Sequence, residues 1–240
     1  MTGIEISKKI IIINSISSAL ALLINMSVLI WLQQYLLNHI SASEYSLIPI
    51  VLSAMAFAPL LTTVLTGGLS RFVTAAYAKG DLEQVSTICS TMFPILLLAG
   101  VFFLSVGGWV AWHIDSFLKI SPEYLTDAKI MLALMVFSTA IRLPLSTFLS
   151  GFMVRQKLVW QDLIDITCNV FRIILLFILL FGLSTKALWV TVALVCSELL
   201  NLTISTPISL KLLPAQKVSW KKFKKTLAKE ITSFGSWWFI

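Results

Sequence analysis

Residues 84–114 read QVSTICSTMFPILLLAGVFFLSVGGWVAWHI, a stretch without one charged side chain. A membrane-spanning helix needs about 20 consecutive apolar residues, and this stretch is longer than that. Two more uncharged runs precede it, at 10–43 and 45–70. Across the chain 58% of the residues are hydrophobic and 12% are charged, against roughly 25% charged in ordinary soluble domains. The composition therefore excludes a water-soluble fold.

Three later apolar runs are each interrupted near the middle by a charged residue, namely Arg142, Arg172 and Glu198. A charge at mid-membrane costs at least about 2.5–3.5 kcal/mol, so these side chains are expected to face a partner or a water-filled cavity. With the runs rejoined, the sequence predicts an all-α integral membrane protein. Its six-transmembrane-helix bundle has spans near 9–37, 46–69, 86–112, 130–153, 159–182 and 187–210. Apolar residues at 231–240 predict the start of a seventh span, and we interpret the chain as part of a longer protein.

The basic residues predict the topology. Outside the spans, only Lys119, Lys129 and Lys186 fall on one side of the membrane, and all other Lys and Arg residues fall with the amino terminus. Because positively charged loops stay in the cytoplasm, both ends of the six-span unit are expected to be cytoplasmic. These Lys and Arg residues of the cytoplasmic segments account for the positive net charge, so a nucleic-acid partner is not expected.

Polar residues recur at helical spacing in three spans, which places each set on one helix face. The sets are Asn14, Ser18 and Asn25 in span one; Asp162, Asp165, Asn169 and Arg172 in span five; and Thr191, Glu198, Asn201 and Ser205 in span six. They are typical either of a polar transport path or of interhelical packing. In the packing alternative, Arg142 pairs with Glu198, or Arg172 pairs with Asp165.

A proline in span four, Pro144, removes the hydrogen bond to the carbonyl of Ala140, two residues from Arg142. This pattern predicts a kink, which is either functional or a tolerated irregularity. Residues 211–230 form a basic amphipathic connector, expected to be a surface helix with Trp220, Phe223 and Leu227 on one face; a merely topogenic loop is the alternative. The predicted membrane-surface residues are Trp220, Lys221, Lys222, Lys224 and Lys225.

No catalytic, metal or cofactor motif is recognisable. Cys89, Cys168 and Cys196 are expected to be small packing residues, and His39 and His113 are too isolated for a metal site. The sequence therefore favours a protein that is not an enzyme and has no cofactor.

Several segments resemble the polysaccharide-exporter branch of the multidrug/oligosaccharidyl-lipid/polysaccharide (MOP) flippase superfamily, typified by O-antigen flippases. They are SASEYSLIPIVLSAMAFAPLL (41–61), TGGLSRFVTAAYAKGDLEQ (66–84), RLPLSTFLSGFMVRQ (142–156) and SFGSWWFI (233–240). The sequence departs from the family pattern in two ways: Thr62 and Thr63 stand where an acidic residue is often found, and Ser46 replaces a usual glycine.

The resemblance implies the amino-terminal lobe of a two-lobe transporter in the bacterial cytoplasmic membrane, working by alternating access on lipid-linked oligosaccharide. Its partners would be membrane lipids, a carboxy-terminal lobe and glycan assembly proteins. Arginine suits phosphate recognition, so Arg142 and Arg172 are the predicted diphosphate contacts. The predicted sugar contacts are Asn14, Asn25, Asn169 and Asn201. The candidates for ion coupling are Glu198, Asp165 and Asp162.

Three alternatives remain open. The chain could be a cation-coupled multidrug exporter of the same superfamily, a membrane-embedded glycan polymerase or ligase, or an inactive fragment. An exporter is expected to have an acidic, aromatic cavity, and a polymerase a large outside loop, whereas the longest outside loop here is 113–129.

Overall fold

The computed structural model describes residues 8–118 and 120–237, and within them it contains helices and no strand. Six helical segments of this part are long and apolar enough to cross a membrane. Span one is α1 (Lys8–His39), span three is α6 (Leu82–Trp112), span five is α10 (Leu158–Gly182) and span six is α11 (Leu188–Leu212). The all-α, six-span prediction is confirmed.

Spans two and four are interrupted. Span two (Ala42–Ala78) consists of α2 (Ala42–Tyr45), α3 (Leu47–Ala54), α4 (Phe57–Thr66) and α5 (Leu69–Ala78). A short α7 (Ile114–Phe117) follows span three, and span four (Pro122–Val154) consists of a 3₁₀ turn (Pro122–Tyr124), α8 (Leu125–Leu145), a second 3₁₀ turn (Ser146–Phe148) and α9 (Ser150–Val154). The last helix, α12, is Lys225–Trp237.

Contacts near the ends of the spans show that spans one and five begin at one end of the bundle and that spans two and six begin at the other. At the end that carries the amino terminus, the Asn14 side chain donates to the carbonyl of Gln156 at 3.2 Å, next to the start of span five. At the opposite end, the backbone N–H of Ala187 donates to Glu44 at 2.9 Å. The chain therefore traverses the bundle six times, as a multi-pass membrane protein does.

Large apolar side chains cover the outside of the bundle. Phe102 is 70% exposed and Phe181 is 74% exposed, and many aliphatic side chains of span one are similarly uncovered. Contiguous apolar surface of this kind is unfavourable in water but matches the tails of lipids.

Spans three and four pack through glycines. A Cβ atom at Gly100 would lie 2.6 Å from the carbonyl oxygen of Ala140, and one at Gly107 would lie 2.7 Å from a methyl group of Val136. Small residues at a membrane-helix interface let two backbones approach closely. We call this contact, made by Gly100 and Gly107, the glycine seam.

Span four changes conformation where proline was expected to disturb it. The α-helix ends at Leu145, one residue after Pro144, and continues as the 3₁₀ turn Ser146–Phe148. Pro144 cannot donate a backbone hydrogen bond, which weakens the helix at this point.

The connector is not the single surface helix that its amphipathic pattern predicts. It contains two 3₁₀ turns, Pro214–Gln216 and Trp220–Lys222, and a regular helix begins only at Lys225. The physical reason is its attachment to the bundle: Ser90 and Thr91 of span three accept hydrogen bonds from the backbone N–H groups of Ser219 and Lys224. The predicted seventh span overlaps α12, and its residues 238–240 lie outside the described part.

Candidate functional site

The central charged group joins spans four and six. Arg142 Nη1 donates to Glu198 Oε1 at 2.7 Å, and the Ser138 hydroxyl donates to Glu198 Oε2 at 2.6 Å. Both carboxylate oxygens are thus occupied, while the Arg142 side chain remains 55% exposed. The Arg142–Glu198 ion pair that the packing alternative predicts is present. Its exposure shows that it is not a sealed packing contact.

This ion pair forms one wall of a cavity of about 400 Å³, which we call the pair cavity. The opposite wall comes from span two, at the break between α3 and α4, with Met55, Pro59 and Thr62 among its lining residues. The volume falls within the range of about 300–1,000 Å³ that is common for small-molecule sites. A polar centre therefore faces a hollow rather than a packed interface.

Arg172 lines a second cavity, of about 330 Å³, between spans one, two, five and six. We call it the arginine cavity. Its other walls are mainly aliphatic, with Leu36, Leu176 and Leu194 among them, and Leu52 lines both cavities. The two hollows are therefore neighbours along span two and adjoin at Leu52.

Within the described residues Arg172 has no ion-pair partner, and its buried Nε has no hydrogen-bond acceptor. The alternative that pairs Arg172 with Asp165 is therefore wrong. Asp165 instead accepts a hydrogen bond of 2.6 Å from Asn201 on span six. Because its guanidinium group lines a cavity without an ion-pair partner, Arg172 is the strongest candidate in the described chain for binding an anion.

The charged residues lie at one level of the bundle. Counted along span five from Leu158, Arg172 lies about 21 Å from the amino-terminal end, and Glu198 lies about 21 Å from the same end counted from Leu212. The hydrocarbon layer is about 30 Å thick. Both cavities therefore open deep within the membrane.

The predicted sugar-binding asparagines connect helices. Asn169 Nδ2 donates to Asn25 Oδ1 at 2.6 Å, which joins spans five and one, and Asn201 contacts Asp165 as described above. Asn14 donates to Gln156, and none of these four asparagines lines the pair cavity or the arginine cavity. Their contacts favour the packing alternative.

Asp162, the third carboxylate considered for ion coupling, lies closer to the amino-terminal end. It accepts a hydrogen bond of 3.1 Å from the Ser18 hydroxyl, so the polar faces of spans one and five meet here as well. We call the contacts Ser18–Asp162, Asn25–Asn169 and Asp165–Asn201 the polar seam. Neither cavity includes Asp162 or Asp165 in its lining.

The predicted membrane-surface residues fall into two groups. Trp220 is 68% exposed, in keeping with a place at a membrane surface, whereas Lys222 forms an ion pair of 3.4 Å with Glu83. The side chains of Lys224 and Lys225 are exposed. That of Lys221 lies outside the described part.

Two parts of the site were not predicted from the sequence. The break in span two was not predicted, although Pro59 is a signal for it, because a proline at this position cannot donate to the carbonyl of Met55. Ser138 was also missed. Serine is common in membrane helices, and only the fold shows that this hydroxyl reaches Glu198.

Comparisons with known proteins identify no relative. No protein-family model, no curated protein and no solved structure matches the chain.

Proposed function

We propose that this chain is the amino-terminal lobe of a transporter that flips polyprenyl-diphosphate-linked oligosaccharides, such as O-antigen or capsule repeat units, across the bacterial cytoplasmic membrane. The observation that carries the proposal is the position of Arg142 and Arg172, which line adjacent cavities in the middle of a multi-pass bundle. A second lobe would close these open hollows, and the positive-inside pattern would place the amino terminus in the cytoplasm.

The two cavities suit the two chemical parts of such a substrate. Arginine forms bidentate hydrogen bonds with phosphate oxygens, which makes Arg172 and Arg142 suitable contacts for a diphosphate. The arginine cavity also has an aliphatic wall, with Leu32 and Val190 beside the residues already named. An isoprenoid chain is apolar and can lie against this wall while its diphosphate meets the guanidinium group.

The interruptions in spans two and four are suited to movement of the helices that line the pair cavity. Span two breaks at Met55 and span four leaves the α-helical conformation at Leu145, and the pair cavity lies between these two spans. Discontinuous helices around a central binding site are typical of transporters that work by alternating access. Local breaks of this kind allow one half of a helix to tilt without unfolding the other.

The lining favours a flippase over a drug exporter. Among the described residues that line the two cavities, Tyr45 is the one aromatic residue and Glu198 is the one carboxylate. Aromatic faces and free carboxylates are what planar cationic drugs require for binding. A cationic, aliphatic hollow is better suited to an anionic lipid.

The test is glycan export in cells that depend on the full-length protein. We expect Arg142→Ala and Arg172→Ala to abolish export without lowering the amount of protein in the membrane. Lys79→Ala is the matched control, because this cation lies exposed in the loop between spans two and three. It should export normally.

Wild-type export by both arginine variants would contradict the proposal. Loss of the protein from the membrane in both variants would instead assign the arginines to folding. Binding of a short isoprenyl-diphosphate-glucose diester to the purified protein provides a second measurement that is independent of cell growth.

A further inference from the structure

The two arginines of the cavities differ in charge balance. Arg142 is neutralised by Glu198 at 2.7 Å, whereas Arg172 has no ion-pair partner in the described part of the chain. Together the two cavities therefore present one uncompensated positive charge. That charge is at Arg172.

A lipid diphosphate diester carries two negative charges. Arg172 can balance one of them, and among the described residues the only other cation that lines the cavities is Arg142. Arg142 carries a single charge, so it can neutralise the second phosphate only if it no longer neutralises Glu198. The carboxylate would then keep only the hydroxyl of Ser138.

An ionised carboxylate without a cation is costly in the middle of a membrane. The charged group that contacts Glu198 from a neighbouring span is Arg142 on span four, whereas Asp165 and Arg172 lie on span five and do not line the pair cavity. Uncharged residues fill 10–43 in span one and 45–70 in span two, so no replacement cation is available from either. Among the described residues no cation other than Arg142 lines the pair cavity, so within this lobe protonation is the remaining way to remove the charge.

We propose that Glu198 holds Arg142 while no substrate is bound and releases it to the substrate's diphosphate in exchange for a proton. The proton comes from water in the cavity and binds a carboxylate oxygen of Glu198. It leaves again when the diphosphate departs and Arg142 returns. This inference rests on the proposed function and adds to it that binding of each diphosphate takes up one proton.

The geometry allows this exchange. Arg142 uses Nη1 for Glu198, and its remaining N–H groups have no acceptor among the described residues. The side chain is also largely exposed, and it lies just before the point where span four becomes a 3₁₀ turn. A phosphate can therefore approach the free edge of the guanidinium group before the carboxylate is released.

The experiment uses the purified full-length protein and the isoprenyl-diphosphate-glucose diester, whose charge does not change near neutral pH. Calorimetry in two buffers of different ionisation enthalpy gives the number of protons taken up on binding. We expect about one proton per diester, and an affinity that falls by up to about tenfold per pH unit as the solution becomes alkaline. The direction follows because ionised Glu198 competes for Arg142.

Glu198→Gln removes the exchange while preserving the side-chain shape. We expect this variant to bind the diester without proton uptake and with an affinity that does not depend on pH. Glu123→Gln, at an exposed position near the opposite end of the bundle, is the matched control and should behave like the wild type. Ser138→Ala offers a second variant: it should retain the proton uptake, with the fall in affinity moved to higher pH.

The outcomes separate the two proposals. If the wild-type protein binds the diester without proton uptake and with the same pH-independent affinity as Glu198→Gln, the exchange is disproved and the flippase proposal stands. If the wild-type protein does not bind the diester at all, the flippase proposal fails, and the exchange fails with it.

Discussion

The glycine seam and the polar seam hold the same bundle together by different means. In the glycine seam, the backbones of spans three and four touch at Gly100, without room for a single added methyl group. In the polar seam, spans one, five and six meet through individual hydrogen bonds such as Asn25–Asn169. The first contact is intolerant of change because nothing can move aside. In the polar seam, single hydrogen bonds can be removed without disturbing the others. Such a contact suits spans one, five and six, which also line the arginine cavity.

The largest effect is expected from the glycine seam. Gly100→Leu should lower the free energy of unfolding by about 2–3 kcal/mol, because the new side chain meets the backbone oxygen of Ala140. Unfolding of the protein in lipid bicelles measures this loss. Gly108→Leu is the matched control on the same helix: a Cβ there meets no atom within 4 Å, so its stability should be unchanged.

A smaller effect is expected where the connector meets span four. Gln216 is fully buried, and in the amide orientation that satisfies its neighbours it donates to the carbonyl of Phe148 at 2.7 Å and accepts from the N–H of Gly151 at 2.8 Å. Gln216→Ala leaves the Phe148 carbonyl without this donor and should cost about 1–2 kcal/mol. The same unfolding measurement applies, with the exposed Gln34→Ala as control. Equal stability of the two variants would show that the contacts of Gln216 with span four do not stabilise the bundle.

The smallest effect is expected in the polar seam. Hydrogen bonds between membrane helices contribute about 0.6 kcal/mol on average. A double-mutant cycle with Asn25→Ala and Asn169→Ala should therefore give a coupling energy near this value, and Asn38→Ala, at an exposed position, should show no coupling to Asn169. A coupling energy as large as the Gly100→Leu effect would remove the distinction between the seams.

Composition and periodicity were sufficient for the architecture. Long uncharged runs can only be buried in lipid, so the six spans could be located, and the polar faces of spans one, five and six do meet. The sequence predicts residues 70–78 to be a polar connection on the inside, helical until Gly80, and not part of span two, because Arg71 and the polar side chains around it favour water. In the structure α5 continues through them, since Val73 and Tyr77 pack into the core of the bundle.

The site was harder to predict. Which side chains pair depends on the rotation of each helix about its axis and on its depth in the bundle, and residue spacing in the sequence determines neither. Helical spacing placed Asp165 and Arg172 on one face and so allowed a pair, yet Asp165 contacts Asn201 across the helix interface. The connector shows the same limit. Its apolar spacing is that of a surface helix, but the hydroxyl groups of Ser90 and Thr91 capture its backbone and break the helix.

The central claim is that the charged residues border a water-filled hollow, and cysteine labelling tests it most directly. In a full-length protein with Cys89, Cys168 and Cys196 replaced by alanine, Thr139→Cys places a thiol in the pair cavity, and Leu98→Cys places one on the exposed apolar surface of span three. A charged, membrane-impermeant thiosulfonate applied from either side should label Thr139→Cys and leave Leu98→Cys unlabelled. If Thr139→Cys proves as unreactive as Leu98→Cys from both sides, the hollow holds no water and the account is contradicted.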